Sequence, residues 1–568
     1  MRSIIILLRI LFLLISFYGY LQFFRKYLRP ELIPGFLFCA IGSTVFLGGI
    51  LNILSPTAWC IAFAGVFLAC FSLYKQDSIR RIFSWGTLFF AVGIVFFLLL
   101  LFGSKFTHYD NFSHWAVAPK IMIETNRFPN QTDLNYEFQS YPLGSAAFIY
   151  YLTEISGLSA EWFQMFAQAV LLLGLVSGIF VFTTKSSSIL LAAAGAVILM
   201  SNNIDFVDLL VDTLLPLIGL AGIFFCHYYK DDLLKKLPFI IPYSVFLISV
   251  KNSGIFYVAA IICLALFYTK SERNKGVYKT AVLFSPFISL AMWKIHVKLV
   301  FPKGLTSKHS MSIANFSSVF QDKSPGDITS IVSAIFRETF SLSNAGIQLL
   351  LIALMLWLIW KYVYRTSRSH FSAMLLVMTV SYIVYQIGTI AMFLFSMPQD
   401  EAVTLAGYGR YHQSILTFLG GLLLLDFILA LEEPSSGQFL QLSLSVLCCI
   451  ALYVTVKPDF SFFTKQHLEG TTREQFDRLF EDYDVLPYCR YAIIVSQDRE
   501  DYGYLHYLSN YRLGSQEHEI LTDSQLETAD WIIFDYILFF NETDVTRAFL
   551  AEHYPDVVDP VVNLNNYR

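Results

Sequence analysis

Residues 84–119 read SWGTLFFAVGIVFFLLLLFGSKFTHYDNFSHWAVAP. The first part, 84–103, is an apolar run with no ionisable side chain, long enough as a helix to cross a ~30 Å hydrocarbon layer. The chain then turns polar and sets Asp110 and His114, four residues apart, at the membrane surface. In so apolar a chain, polar side chains at the mouth of the bilayer are the best clue to chemistry.

Working outward, runs of the same kind begin at the first residues and recur to about Val456. Across 568 residues the chain is 56% hydrophobic, 17% aromatic and only 14% charged, outside the range of a soluble globular protein. Lipid-facing backbone must satisfy its own hydrogen bonds, and the alternating pattern of a barrel is absent. The fold class expected is therefore an α-helical polytopic membrane protein of about fourteen transmembrane helices. The spans fall near 3–24, 33–53, 57–74, 84–103, 160–182, 187–201, 209–228, 238–250, 252–269, 280–300, 346–364, 371–397, 413–431 and 439–456. The first reads as a retained helix rather than a secretory signal. It is too long for such a segment, contains Arg9, and ends in QFFRK instead of a small-residue cleavage site.

Alternate connections carry Arg25, Lys26 and Arg29; Lys75, Arg80 and Arg81; Lys185; Lys230, Lys235 and Lys236; Lys270, Arg273, Lys275 and Lys279; and Lys361, Arg365 and Arg368. The positive-inside rule assigns these to the cytoplasm. Arg2 and Arg9 then stand against the rule, and 238–250 with 252–269 is short for a full hairpin. A hairpin is still preferred, because one kinked helix would turn the basic loop after Lys270 outward.

Four regions follow: N-terminal membrane helices over 1–103, a large outer loop over 104–159, a membrane core over 160–456 with a second outer loop at 301–345, and a tail over 457–568. The tail carries 21 acids and nine Lys or Arg, a net of −12, leaving +8 for the rest. Within it YAIIVS from Tyr491 reads as a buried strand, 501–513 as a helix closed by Gly514, and WIIFD from Trp531 as a second strand. A small extracytoplasmic α/β domain fits. No glycine-rich phosphate loop follows either strand, so no nucleotide is assigned. Seven of eight cysteines lie in apolar runs and predict neither disulfides nor zinc.

Four constellations carry the chemistry. Asp110, with His114 and Lys120, suits a general base toward an incoming hydroxyl; the plainer reading is an interfacial helix start. Asp205, Asp208 and Asp212 recur at three and four, one face of a helix, and suit acceptor or cation binding unless they are simply solvated. Lys251, in KNSG between two apolar spans, needs an anionic partner or a route to the headgroups. Arg410, in GYGRYH with Tyr411 and His412, suits a phosphate, with pairing to Asp400 or Glu401 as the plainer alternative. On the charge map all four reach the same outer face. A base with two fixed cations beside lipid is what transfer from an anionic lipid carrier requires.

YDNFSHW after a membrane span, VDTLL at 211–215, KNSG at 251–254 and GRY at 409–411 together resemble the GT-C superfamily of integral-membrane glycosyltransferases, over about residues 84–431. The resemblance implies transfer of a sugar from a polyprenyl-phosphate donor to a glycan or lipid acceptor, with inversion. Asp110 matches that family's first-outer-loop acid, Lys251 and Arg410 its phosphate-holding cations, and Asp212 an acid beside the acceptor path. This chain departs from the pattern in placing its acid loop after the fourth span rather than the first. With no second carboxylate adjoining Asp110, a metal dyad is not indicated, and no cofactor is expected. Expected partners are the lipid-linked donor, the acceptor and membrane lipids, with no nucleic acid. The expected location is the cell membrane, with active site and tail outside the cytoplasm. A lipid-linked-glycan flippase and a glycan polymerase or ligase are the rival readings.

Overall fold

A computed structural model describes residues 2–75, 83–133, 135–201, 208–301, 313–362, 369–433, 438–460, 463–483, 486, 489–514, 517–557 and 559–567. Asp205 and the basic residues Arg80, Arg81, Arg365 and Arg368 lie outside the described residues. Among those described, nine helices are long and apolar enough to cross a membrane, from Ser3–Phe24 to Tyr408–Glu432. Five shorter apolar helices, Trp85–Leu101, Ser186–Met200, Leu214–Tyr228, Asn252–Tyr268 and Gln441–Val456, fall on the remaining expected spans. The most enclosed long helices are Glu161–Phe182 and Tyr408–Glu432, whose apolar side chains face other helices on nearly all sides. A helix hydrophobic all round belongs in such an interior.

The Lys251 region is a hairpin. Tyr243 packs on Phe225 with ring centroids 6.1 Å apart, and Tyr268 bonds His227 at 2.6 Å. Residues on either side of Lys251 thus reach the same end of the Leu214–Tyr228 helix, so the chain reverses between them. Gly254 permits the reversal, since a Cβ there would lie 2.2 Å from the Leu247 carbonyl oxygen.

The segment 104–159, expected as an outer loop, is not all loop. Gly144–Ser156 is a helix buried against Arg2–Phe24, Ile33–Ile50 and Ile241–Val250. At 13 residues it is too short to register as a span, although its sequence is mostly apolar. It also accounts for Arg9, whose Nε donates to the Ile155 carbonyl at 3.0 Å and whose Nη2 donates to that of Glu154. A cation at a helix C-terminus satisfies free carbonyls and the helix dipole. Trp59 covers the guanidinium at 5.5 Å.

The tail forms a four-stranded sheet from β1 (Tyr491–Val495), β2 (His518–Thr522), β3 (Tyr536–Phe539) and β4 (Val561–Asn563). The order is β2-β1-β3-β4, with β1 parallel to both neighbours and β4 antiparallel to β3. Central β1 is wholly buried, and the helix Tyr502–Leu513 ends on left-handed Gly514. The expected strand at 531–535 is corrected. Trp531–Ile533 forms a 3-10 turn capped by Asp530, leaving Ile532 exposed, and β3 begins only at Tyr536, opposite Tyr491.

The tail domain grips the start of the 104–159 segment. Gln466 bonds both the amide and the carbonyl of Lys105 at 2.8 Å, and Tyr504 donates to the Thr107 carbonyl at 3.0 Å. Arg473, buried, lies 3.0 Å from both Glu161 and Asp477.

Candidate active site

The loop bearing Asp110 is built from local bonds. His108 Nδ1 accepts the Asp110 amide proton at 3.1 Å, which fixes the turn leading into Asp110. Asn111–Trp115 follows as a π turn, with the Ala116 amide bonded to the Asn111 carbonyl at 2.9 Å. Such wide turns are frequent at functional sites. Asn111 Oδ1 accepts the Leu209 amide at 2.9 Å, joining this loop to the one that carries Asp212. In that second loop Asp208 accepts from the Leu210 amide at 3.0 Å, and Gln168 donates to the Leu210 carbonyl at 2.7 Å.

Two cations meet these acids. Lys251 is an extended residue between helices, and its Nζ stands 3.6 Å from Asp212 Oδ1 and 5.2 Å from the centre of the Tyr411 ring. Asp212 is held in turn by Ser414, which donates to its carbonyl at 2.8 Å. Arg410 lies in the first turn of Tyr408–Glu432, after a sharp bend in which Leu405 (φ +53°) and Gly407 (φ +74°) are both left-handed. That conformation costs a non-glycine residue such as Leu405 of order 1–3 kcal/mol. A cation in the first turn is also opposed by the helix dipole. Asp110 offsets this, accepting a hydrogen bond from Arg410 Nη1.

The environment sets the protonation of the loop. Burial alone would raise the Asp110 carboxyl, but Arg410, with His114 and His108, outweighs it and holds the group below the ordinary Asp value. Burial pushes His108 down despite the nearby Asp110, so its imidazole is neutral at pH 7. With Nδ1 accepting, Nε2 carries the proton. Burial, reinforced by Tyr411, Asp110 and Asp212, raises the Tyr141 phenol and keeps it protonated.

Beside these pairs opens a cavity of about 520 Å³. Asp212, Lys251, Tyr141 and Tyr411 form its polar end. Phe256, Tyr385, Gly388, Met392 and Phe395 form a largely apolar wall, and the space next to Gly388 is open. A charged end with an apolar wall suits an amphiphile with an anionic head.

Of the residues expected at the site, Asp110, Asp212, Lys251, Arg410 and Tyr411 come together, although they span three hundred positions. The others have different neighbours. His114 is buried, stacked on Phe138 at 4.2 Å and bonded to Ser113 at 2.7 Å, and it still lies close enough to Asp110 to act on its charge. Lys120 turns to the tail domain and donates to the Tyr511 carbonyl at 2.5 Å. Asp208 stabilises its own turn. His412, one position beyond Tyr411 and so about 100° round the helix, packs between Tyr382 and Tyr408. Arg410 pairs with Asp110, not with Asp400 or Glu401. His108, Asn111, Tyr141 and Ser414 join the site without having been expected. The spacing of His108 before Asp110 is visible in sequence, whereas the others depend on long-range packing. No group of three or more His, Cys, Asp or Glu placed to hold a metal occurs among the described residues.

No family model, curated protein or solved structure matches the chain.

Proposed function

We propose that this chain is a membrane glycosyltransferase of GT-C type, moving a sugar from a polyprenyl-phosphate donor to an acceptor outside the cytoplasm. The observation that carries the reading is the convergence of Asp110, Asp212, Lys251 and Arg410 beside a cavity with an apolar wall. The five shorter apolar helices count as crossings in this reading, which makes fourteen spans and puts the Asp110 loop and the tail domain outside.

The donor's prenyl chain lies along the wall near Gly388, and its phosphate meets Lys251 and Arg410. Asp110 takes the proton of the acceptor hydroxyl as that oxygen bonds to the anomeric carbon. The bond from that carbon to the phosphate oxygen breaks, its electron pair leaves with polyprenyl phosphate, and configuration inverts. Electrostatic stabilisation of the leaving phosphate supplies much of the acceleration. Tyr141, protonated at the polar end, is placed to donate to either substrate.

The test is incubation of purified protein with a panel of polyprenyl-phosphate sugars while free polyprenyl phosphate is measured. Release by the parent and not by Asp110→Asn supports the reading; equal release by a folded Asp110→Asn sinks it. A flippase is favoured by one observation, the buried Asp426 on the same helix as Arg410, since a transport path needs polar groups through the membrane depth. Movement of a lipid-linked sugar across vesicles without turnover would select that reading.

A further inference from the structure

Each cation assigned to the donor phosphate already holds an acid: Arg410 holds Asp110, and Lys251 holds Asp212. The four charges make a neutral set around Tyr411, beside the cavity. We propose that Asp110 is masked by Arg410 in the unliganded protein, and that a phosphate headgroup displaces it, so that donor binding itself unmasks the base. Naming that headgroup as a lipid phosphate rests on the transferase reading; the masking does not.

The physical argument is one of exchange. Arg410 retains substantial exposure for a guanidinium so paired, and Lys251 stands 3.6 Å from its acid, a charge contact too long for a good hydrogen bond. Phosphate offers more acceptor oxygens than a carboxylate and matches the guanidinium fork. Once Arg410 turns to the phosphate, Asp110 loses the partner that depresses its basicity and gains an anionic neighbour. Both changes make it a better proton acceptor. The groups that surround Asp110 are His108, His114, Arg410 and, across Tyr141, Asp212; of these, Arg410 exerts the strongest charge effect. His108 and Asn111 fix the loop backbone, so exchange requires only side-chain rotation. Donor must then bind before acceptor, and a free acceptor hydroxyl meets no competent base.

The test measures how readily Asp110 is modified by a water-soluble carbodiimide and an amine, with the full chain in nanodiscs and peptide mass spectrometry as readout. Asp544, fully exposed, is the internal reference. The probes are polyprenyl phosphate, uncharged polyprenol and inorganic phosphate. Without a probe, Asp110 is expected to label poorly; polyprenyl phosphate should raise labelling about tenfold, the effect of one pKa unit, and polyprenol should not. Arg410→Gln should label at the raised level with no probe. Arg410→Lys, which keeps the charge but not the fork, should behave the same way with smaller amplitude. Unchanged labelling in both variants overturns the masking, whatever the lipid does. An equal response to polyprenol overturns the exchange. A response to inorganic phosphate with none to polyprenyl phosphate keeps the exchange and sinks the lipid-donor reading instead.

Discussion

Two clusters of paired charges involve residues 104–159, and they differ in what lies beside them. Around Arg473 the centre is closed: the guanidinium is 1% exposed, Glu161 and Asp477 bracket it, and Lys105 and Arg512, at the rim, share Asp477 at 2.9 and 3.2 Å. Burial would lower the Arg473 pKa, but the carboxylates raise it above the ordinary Arg value, and Asp477 is correspondingly depressed. The second cluster uses the same chemistry, yet Arg410 is 38% exposed and Lys251 adjoins open cavity. A buried pair is weak evidence for stability by itself. What separates a fastening from a site is whether another anion has room to enter.

That contrast can be broken at either end. The largest effect is expected in the closed cluster. Arg473→Ala leaves the part-buried Glu161 without its cation and takes from Asp477 one of its three, a loss of ~3 kcal/mol or more, read as a lower unfolding midpoint and faster proteolytic release of the tail domain. Full stability in that variant would mean the tail is held by its aromatic contacts. Next, Asp110→Asn is expected to cut sugar transfer by ~10²-fold or more while the unfolding midpoint stays close to that of the parent. A parallel loss of stability would move Asp110 into the structural class.

A smaller change is expected from Gly388→Trp, which fills open space on the apolar wall and touches no charge. Donor KM should rise about tenfold, equivalent to ~1.4 kcal/mol, with little change in the acceptor KM. The smallest effect concerns acid. Asp110 and Asp477 both have folded pKa values below the ordinary Asp value, so their pairs contribute fully above about pH 4 and lose that contribution as pH falls through the folded values. In the open pair the effect should be under ~1 kcal/mol because solvent screens it. Acid titration of Asp110→Asn and Asp477→Asn against the parent should show the larger pH-dependent difference for Asp477.

How far the sequence reached depended on the range of the interaction. The helical spans were legible because each is a local property of about twenty consecutive residues in lipid. The hairpin at Lys251 followed from charge in the loop after it, and the stop at Gly514 from a single residue type. The short helix Gly144–Ser156 escaped notice because length is the criterion for a span, and its burial depends on neighbours from three other segments. The strand expected at Trp531 failed for a related reason: apolar character does not fix register, and pairing with β1 begins only at Tyr536.

At the site, the sequence by itself supplied the residue types and the expectation that they share one face of the membrane. A lysine or arginine beside an apolar span is costly enough to be conspicuous in any background. Which acid each cation meets was decided only in the tertiary structure. Asp110 and Arg410 are three hundred residues apart, and the packing of Tyr408–Glu432 against the neighbouring helices brings them together. The same packing turned Lys120 and His412 to other partners, because one residue of offset redirects a side chain without changing the motif.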